Sequence, residues 1–197
     1  MNRRNILFSG LVALLLVGIA VYQYTLPPVL NGAVIEPPKP MPNFTLSSPK
    51  GSVSLTDMRG KVTVLFFGFT NCLDVCPATM AKLSEALTRL GDKSGEVQVV
   101  FISVDYKRDT PQTVGAYAAK FRPDFIGLTG SQAEIDQVTR DYGIYYKLGE
   151  PDAKGNYEVE HTATLLALNK QGRLIMTWSP DQQPDEIASD LSVLVKR

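Results

Sequence analysis

The ten residues Lys61–Thr70, KVTVLFFGFT, constrain this chain more than any other segment. They hold few polar side chains and many β-branched or aromatic ones. A strand with one wet face alternates apolar and polar residues, whereas a strand covered on both faces does not. The run therefore predicts a strand buried between two layers. Val97–Val104 (VQVVFISV) predicts a second one. Between them, Met80, Leu83, Leu87 and Leu90 recur at three- and four-residue steps, which predicts an amphipathic helix over Ala78–Leu90 stopped by Gly91.

The rest of the chain continues in kind. Thr110-Pro111 opens a helix to about Phe121, proline being favoured at a first helical position. Phe125–Leu128 reads as a short strand. Ser131 and Glu134 form a capping box for a helix that stops at Gly143. Thr162–Leu168 and Arg173–Trp178 read as strands joined by a turn at 169–172. Pro184 opens a last helix with Ile187, Leu191 and Leu194 on one face. Upstream, Phe44–Leu46 and Val53–Leu55 flank Pro49-Lys50-Gly51 as a hairpin. This order predicts an α/β fold, a thioredoxin-like sandwich with an N-terminal β-hairpin over residues 43–197.

Residues 1–26 carry a different signal. Ile6–Leu26 has no charged side chain and follows Arg3 and Arg4. About 20 apolar residues span a bilayer as a helix. Basic residues stay on the cytoplasmic side, so a single transmembrane helix with the rest of the chain exported is expected. A cleaved signal peptide would have a shorter apolar run and a small-residue cleavage site. Prolines 27, 28, 37, 38, 40 and 42 make residues 27–42 an expected proline-rich spacer. No Arg- and Ser-rich transit segment precedes the run, which points to a bacterial inner membrane with the domain in the periplasm. Twenty basic and twenty acidic residues leave no net charge, which argues against nucleic-acid binding.

The chain has two cysteines, Cys72 and Cys76, and one histidine, His161. A bond between cysteines this close would remove little chain entropy, so their purpose is chemical rather than structural. CLDVCP follows a predicted strand and precedes a predicted helix. Ligand sites in α/β sheets lie at the carboxyl ends of strands. A helix N-terminus favours thiolate, so Cys76 is expected as an activated sulfur near the surface. Three residues separate the cysteines, against two in redox thioredoxins. Two thiolates and an imidazole form a soft donor set that suits Cu(I) or zinc. Closed structural zinc sites use four protein ligands, and three are on offer here, which favours copper. His161 stands just before a late strand, where a thioredoxin-like fold brings the chain beside the cysteine loop. Redox thioredoxins carry a cis-proline there, and no proline lies between Pro151 and Pro180. Asp105, at the end of the second buried strand, either tunes this site or caps the turn before Thr110. Asp74 reads as exposed.

The segments FFGFTNCLDVCPATM (66–80), VVFISVDYKRDTP (99–111), FIGLTG (125–130) and VEHTATLLALNKQGRL (159–174) together resemble the SCO/SenC family of copper proteins. The resemblance implies a thioredoxin-like fold and copper held by Cys72, Cys76 and His161, with Asp105 near the metal. It implies a copper chaperone for the dinuclear copper centre of cytochrome c oxidase. Its partners would be the copper-receiving oxidase subunit and other periplasmic copper chaperones. The alternative is a thiol–disulfide oxidoreductase in which Cys72 and Cys76 are the redox pair and His161 is dispensable. The chain departs from the family pattern at Leu73 and Tyr106, where proline is usual, and at Glu160 and Thr162 beside the histidine.

Overall fold

The computed structural model describes residues 12, 15–18 and 29–196. Most of the expected anchor lies outside the described residues. Among those described, no helix is long and apolar enough to cross a membrane.

A six-stranded sheet organises the domain, in the order β1-β10-β9-β4-β5-β6. Its strands are β1 (Ala33–Pro40), β4 (Val62–Gly68), β5 (Val97–Ser103), β6 (Ile126–Leu128), β9 (Leu165–Leu168) and β10 (Arg173–Trp178). Strands β4, β5 and β6 run parallel, and β9, β10 and β1 continue the sheet antiparallel. Helices α1 (Val75–Leu90), α2 (Pro111–Phe121), α3 (Gln132–Tyr142) and α4 (Pro184–Leu194) cover it. Two small hairpins stand outside the sheet: β2 (Thr45–Ser48) with β3 (Gly51–Ser54), and β7 (Tyr146–Leu148) with β8 (Val159–His161).

Every residue of β4 is buried, as its lack of alternation predicts. Val64 and Phe66 face α1, α2 and α4 in one core cluster. Leu65 and Phe67 face α3 and the β2–β3 hairpin in the other. Each fully buried phenylalanine removes enough apolar area to contribute roughly 1.5–3 kcal/mol. The Ser131 hydroxyl accepts from the Glu134 amide while Glu134 receives the Ser131 N–H at 2.7 Å, so α3 starts where its capping box predicts.

The spacer expectation fails over residues 33–40. These form the edge strand β1, paired with β10 at Ala33–Thr177 and Lys39–Leu174 with an irregularity between. Prolines are tolerated at a sheet edge because no neighbour needs their missing N–H. The Arg173 guanidinium also donates to Pro38 O at 2.7 and 3.1 Å. The start of this strand is tied to α4. The buried Asp190 carboxylate accepts from Asn31 N, Asn31 Nδ2, Gly32 N and Trp178 Nε1 at 2.8–3.0 Å. Gly32 packs so closely on Trp178 that a Cβ would lie 2.7 Å from the indole.

Two further boundaries differ from expectation. Helix α1 begins at Val75, three residues before the predicted start, so both Cys76 and Pro77 lie in its first turn. Of the strand expected over 162–168 only Leu165–Leu168 forms, as β9, and the Val159–His161 segment just before it pairs with β7.

Candidate metal centre

The two cysteines are presented where β4 hands over to α1, at the carboxyl edge of the parallel strands. Glycine at the last position of β4 makes this possible. A Cβ on Gly68 would stand 2.7 Å from the Phe101 ring and 2.9 Å from Cys76 Sγ. The missing side chain is the space into which the Cys76 sulfur tucks.

The two sulfurs have different surroundings. Cys72 is partly exposed in the loop and Cys76 is fully buried. The Cys76 backbone N–H donates to Cys72 Sγ at 3.3 Å. A helix N-cap side chain accepts from this amide position, and here sulfur takes the place of the usual oxygen. The helix terminus therefore serves Cys72. The expectation that it would activate Cys76 near the surface is overturned, because burial dominates. Desolvation pushes the Cys76 thiol far above its ordinary range, and the nearby Cys72 and Asp109 add to the rise against a lowering contact from the Phe69 backbone.

This shift has a stability consequence. A folded-state pKa above the unfolded value of 9.0 means the folded thiol keeps its proton while the unfolded one loses it. The metal-free domain should therefore hold its stability below about pH 9 and lose about 1.4 kcal/mol per further pH unit through this group. Burial raises Tyr117 and Tyr142 in the same sense. Urea midpoints at pH 8 and pH 10 check this, with Cys76→Ala removing the thiol's share. Equal midpoints for the native chain would contradict it.

His161, the last residue of β8, comes within reach of the buried sulfur. Its Nε2 lies 3.5 Å from Cys76 Sγ. Its Nδ1 is 3.1 Å from Thr162 O. A carbonyl only accepts, so Nδ1 carries the proton and Nε2 presents a lone pair toward sulfur. Burial holds the imidazole below its usual pKa, against a smaller opposing effect of the Thr162 contact, so the ring is neutral at pH 7. Phe69 and Phe66 meet it edge-on, at centroid distances of 5.7 and 6.3 Å. A sulfur and a nitrogen bound to one ion at about 2.3 and 2.0 Å, with a tetrahedral angle, stand about 3.5 Å apart. The observed separation fits a shared ion. Among the described residues, no three His, Cys, Asp or Glu side chains already converge at metal-binding distances. Cys76 Sγ and His161 Nε2 are the pair that stands at this separation, while the Cys72 sulfur is engaged by the Cys76 amide.

One loop, residues 104–110 between β5 and α2, braces both halves. Asp109, which the sequence did not single out, accepts from Thr70 N at 2.9 Å, from Thr70 Oγ1 at 2.5 Å and from Ser103 Oγ at 2.5 Å. It thereby holds the cysteine loop. Asp105 holds the histidine hairpin. Its Oδ1 accepts from the Tyr157 hydroxyl at 2.5 Å, and its Oδ2 pairs with Arg108 Nε at 2.5 Å. Arg108 also donates to Tyr157 O at 3.1 Å and stacks 3.8 Å over the Tyr157 ring. Both Asp105 oxygens are thus occupied away from the sulfurs, and it reaches the site only through the segment that carries His161. Asp74 is exposed, as expected, and caps nothing with its side chain.

Outer partners that orient metal ligands are typically worth 10–100-fold in affinity. Asp109→Asn is expected to lower copper affinity by that factor with little change in secondary structure. Competition against a copper chelator, alongside circular dichroism, checks it. An unchanged affinity would separate Asp109 from the site.

Comparison with known proteins gives the family. The SCO1/SenC family profile matches residues 33–196. The mitochondrial SCO1 homolog 1 of Arabidopsis thaliana is 39% identical over 137 residues, covering 68% of this chain and 40% of its own length. The mitochondrial SCO2 homolog of Bos taurus is 35% identical over 152 residues, covering 76% and 57%. The chain thus matches about half the length of these relatives. Among solved structures, apo Sco1 from Thermus thermophilus superposes with a TM-score of 0.79 at 39% identity, covering 84% of this chain and 97% of that one. Bradyrhizobium japonicum ScoI with copper bound gives 0.72 at 36%, covering 79% and 99%. A family profile spanning most of the chain, on a thioredoxin-like sheet that brings Cys76 Sγ within 3.5 Å of His161, places this protein in the SCO1/SenC family.

Proposed function

We propose that this protein binds one copper ion through Cys72 Sγ, Cys76 Sγ and His161 Nε2, and delivers it to the dinuclear copper site of cytochrome c oxidase. The observation that carries the reading is the placement of the His161 ring against Cys76. Its Nδ1–H is held by a carbonyl and its Nε2 faces Cys76 Sγ at 3.5 Å. Two sulfurs and an imidazole suit copper, and the Bradyrhizobium relative holds that metal. Cys76 gives up its proton as copper enters, while the neutral ring has none to lose at Nε2. Cys72, the partly exposed donor, is the first to be exchanged when a recipient ligand arrives. The oxidase as recipient follows from the family resemblance of the four sequence segments. The chargeless run 6–26 would hold the domain at a bacterial inner membrane, facing the periplasm.

A second reading has its own support. The Cys76 amide donates to the Cys72 sulfur, and Cys76 lies buried beneath it, so Cys72 is placed to attack a disulfide. The target's disulfide would break, Cys72 and Cys76 would close their own, and two electrons would leave as target dithiol. Incubation with the copper-site fragment of the oxidase subunit separates the readings. Delivery requires copper-loaded protein and is lost in His161→Ala. Reduction of the oxidised fragment needs no copper and survives that change.

A further inference from the structure

The mouth of the site carries two exposed apolar side chains beside the Cys72 sulfur. Leu73 is 95% exposed and Val75 is 41% exposed, flanking the partly exposed Cys72. With Phe69, Tyr157 and Val159 they line an open cleft of about 410 Å³. Isolated exposed leucines are ordinary, but an apolar cluster around a partly exposed sulfur marks a contact surface. The rim of the cleft is negative. Asp74 stands on one side, with Glu158 and Glu160 on the other, and no lysine or arginine lines it. Residues 147–160 carry four carboxylates against two lysines. Lys147 lies opposite Glu160 in the β7–β8 ladder, and the two close no ion pair among the described residues.

We infer that this cleft docks a segment of a partner protein bearing lysine or arginine and an apolar side chain next to a soft sulfur or nitrogen ligand. The inference rests on the proposed function and names the chemistry of the partner. The three carboxylates attract the cationic segment and orient it. Leu73 and Val75 bury against its apolar side chain, and Cys72 is the first atom its ligand meets. Steering by such a rim raises association rates about tenfold or more at low ionic strength.

Three synthetic peptides test this on the metal-free full chain. Each has one cysteine activated as the mixed disulfide with thionitrobenzoate, flanked by lysine and leucine, glutamate and leucine, or lysine and serine. The Cys72 thiolate attacks the peptide sulfur, a Cys72–peptide disulfide forms, and thionitrobenzoate leaves with the bonding electrons. Its absorbance gives the rate. The lysine–leucine peptide should react at least about tenfold faster than the glutamate–leucine peptide at low salt, with the ratio collapsing toward one at about 1 M salt. The combined variant Asp74→Asn, Glu158→Gln, Glu160→Gln should show that collapse without salt. Leu73→Ser should slow the lysine–leucine peptide to the rate of the lysine–serine peptide while preserving the charge ratio. All four changed positions are exposed, so the fold is retained. Charge-blind rates on the native chain, a ratio that survives in the combined variant, or an unaffected rate in Leu73→Ser would each overturn the inference. Copper uptake by the same preparations is measured separately. Failure to bind copper contradicts the proposed function whatever the peptides do, and copper binding with charge-blind rates contradicts the docking surface alone.

Discussion

His161→Ala is expected to lower copper affinity by more than about a hundredfold and to leave the domain folded. Loss of outer partners alone costs 10–100-fold, and a direct donor contributes more. The ring is only partly buried and stands between Phe66 and Phe69 at the edge of the main core. Its removal therefore opens no large cavity, and the stability cost should stay near 1 kcal/mol. The two effects separate cleanly: chelator competition reads the first and a thermal melt of metal-free protein reads the second. A variant that keeps copper within about threefold of the native affinity would take His161 out of the donor set.

Asp190→Ala carries the largest expected effect on stability. The carboxylate is fully buried and gathers the backbone amides of Asn31 and Gly32 and the indole N–H of Trp178. Truncation leaves at least the buried indole without a partner and frees the start of β1. An orphaned buried donor costs about 1–3 kcal/mol, and two such losses give roughly 3 kcal/mol. In a domain of this size that lowers Tm by about 6–12 °C. Asp190→Asn keeps one acceptor oxygen and should lose about half as much. Differential scanning calorimetry checks both variants, and a Tm within about 2 °C of native for the alanine form would show that β1 is held by its β10 pairing alone.

The parts of the fold that were legible in the sequence are those whose cause is local or whose burial is complete. Strand β4 announced itself because burial on both faces leaves no polar position to disguise it. The limits of α3 were readable because Ser131 with Glu134 at one end, and Gly143 at φ 70° at the other, are chemical stops. Strand β1 was hidden because its prolines speak against a strand, and the partner that makes it one, β10, lies near the other end of the chain. The β7–β8 hairpin has strands of three residues, too short to show a period.

The site divides in the same way. Fold order and spacing predict Cys72, Cys76 and His161 as one site, and the fold brings Cys76 Sγ to 3.5 Å from His161 Nε2. The sequence mistook the state of Cys76, because position at a helix N-terminus is local whereas burial against Gly68 and Phe101 is tertiary. Asp109 was passed over because an acidic residue just before the Thr110 cap looks like one more turn residue. Only the folded chain brings Thr70 to it. Neither reading of Asp105 describes its bonds: its carboxylate meets Tyr157 and Arg108, and the turn bond from Asp109 N at 2.9 Å goes to its backbone carbonyl.

X-ray absorption at the copper edge of the loaded protein examines the donor set most directly, with His161→Ala measured beside it. The account predicts a single copper with two sulfur neighbours and one imidazole, whose outer-ring scattering disappears in the variant. A spectrum with fewer than two sulfurs, or one in which the native protein shows no imidazole scattering, would contradict it.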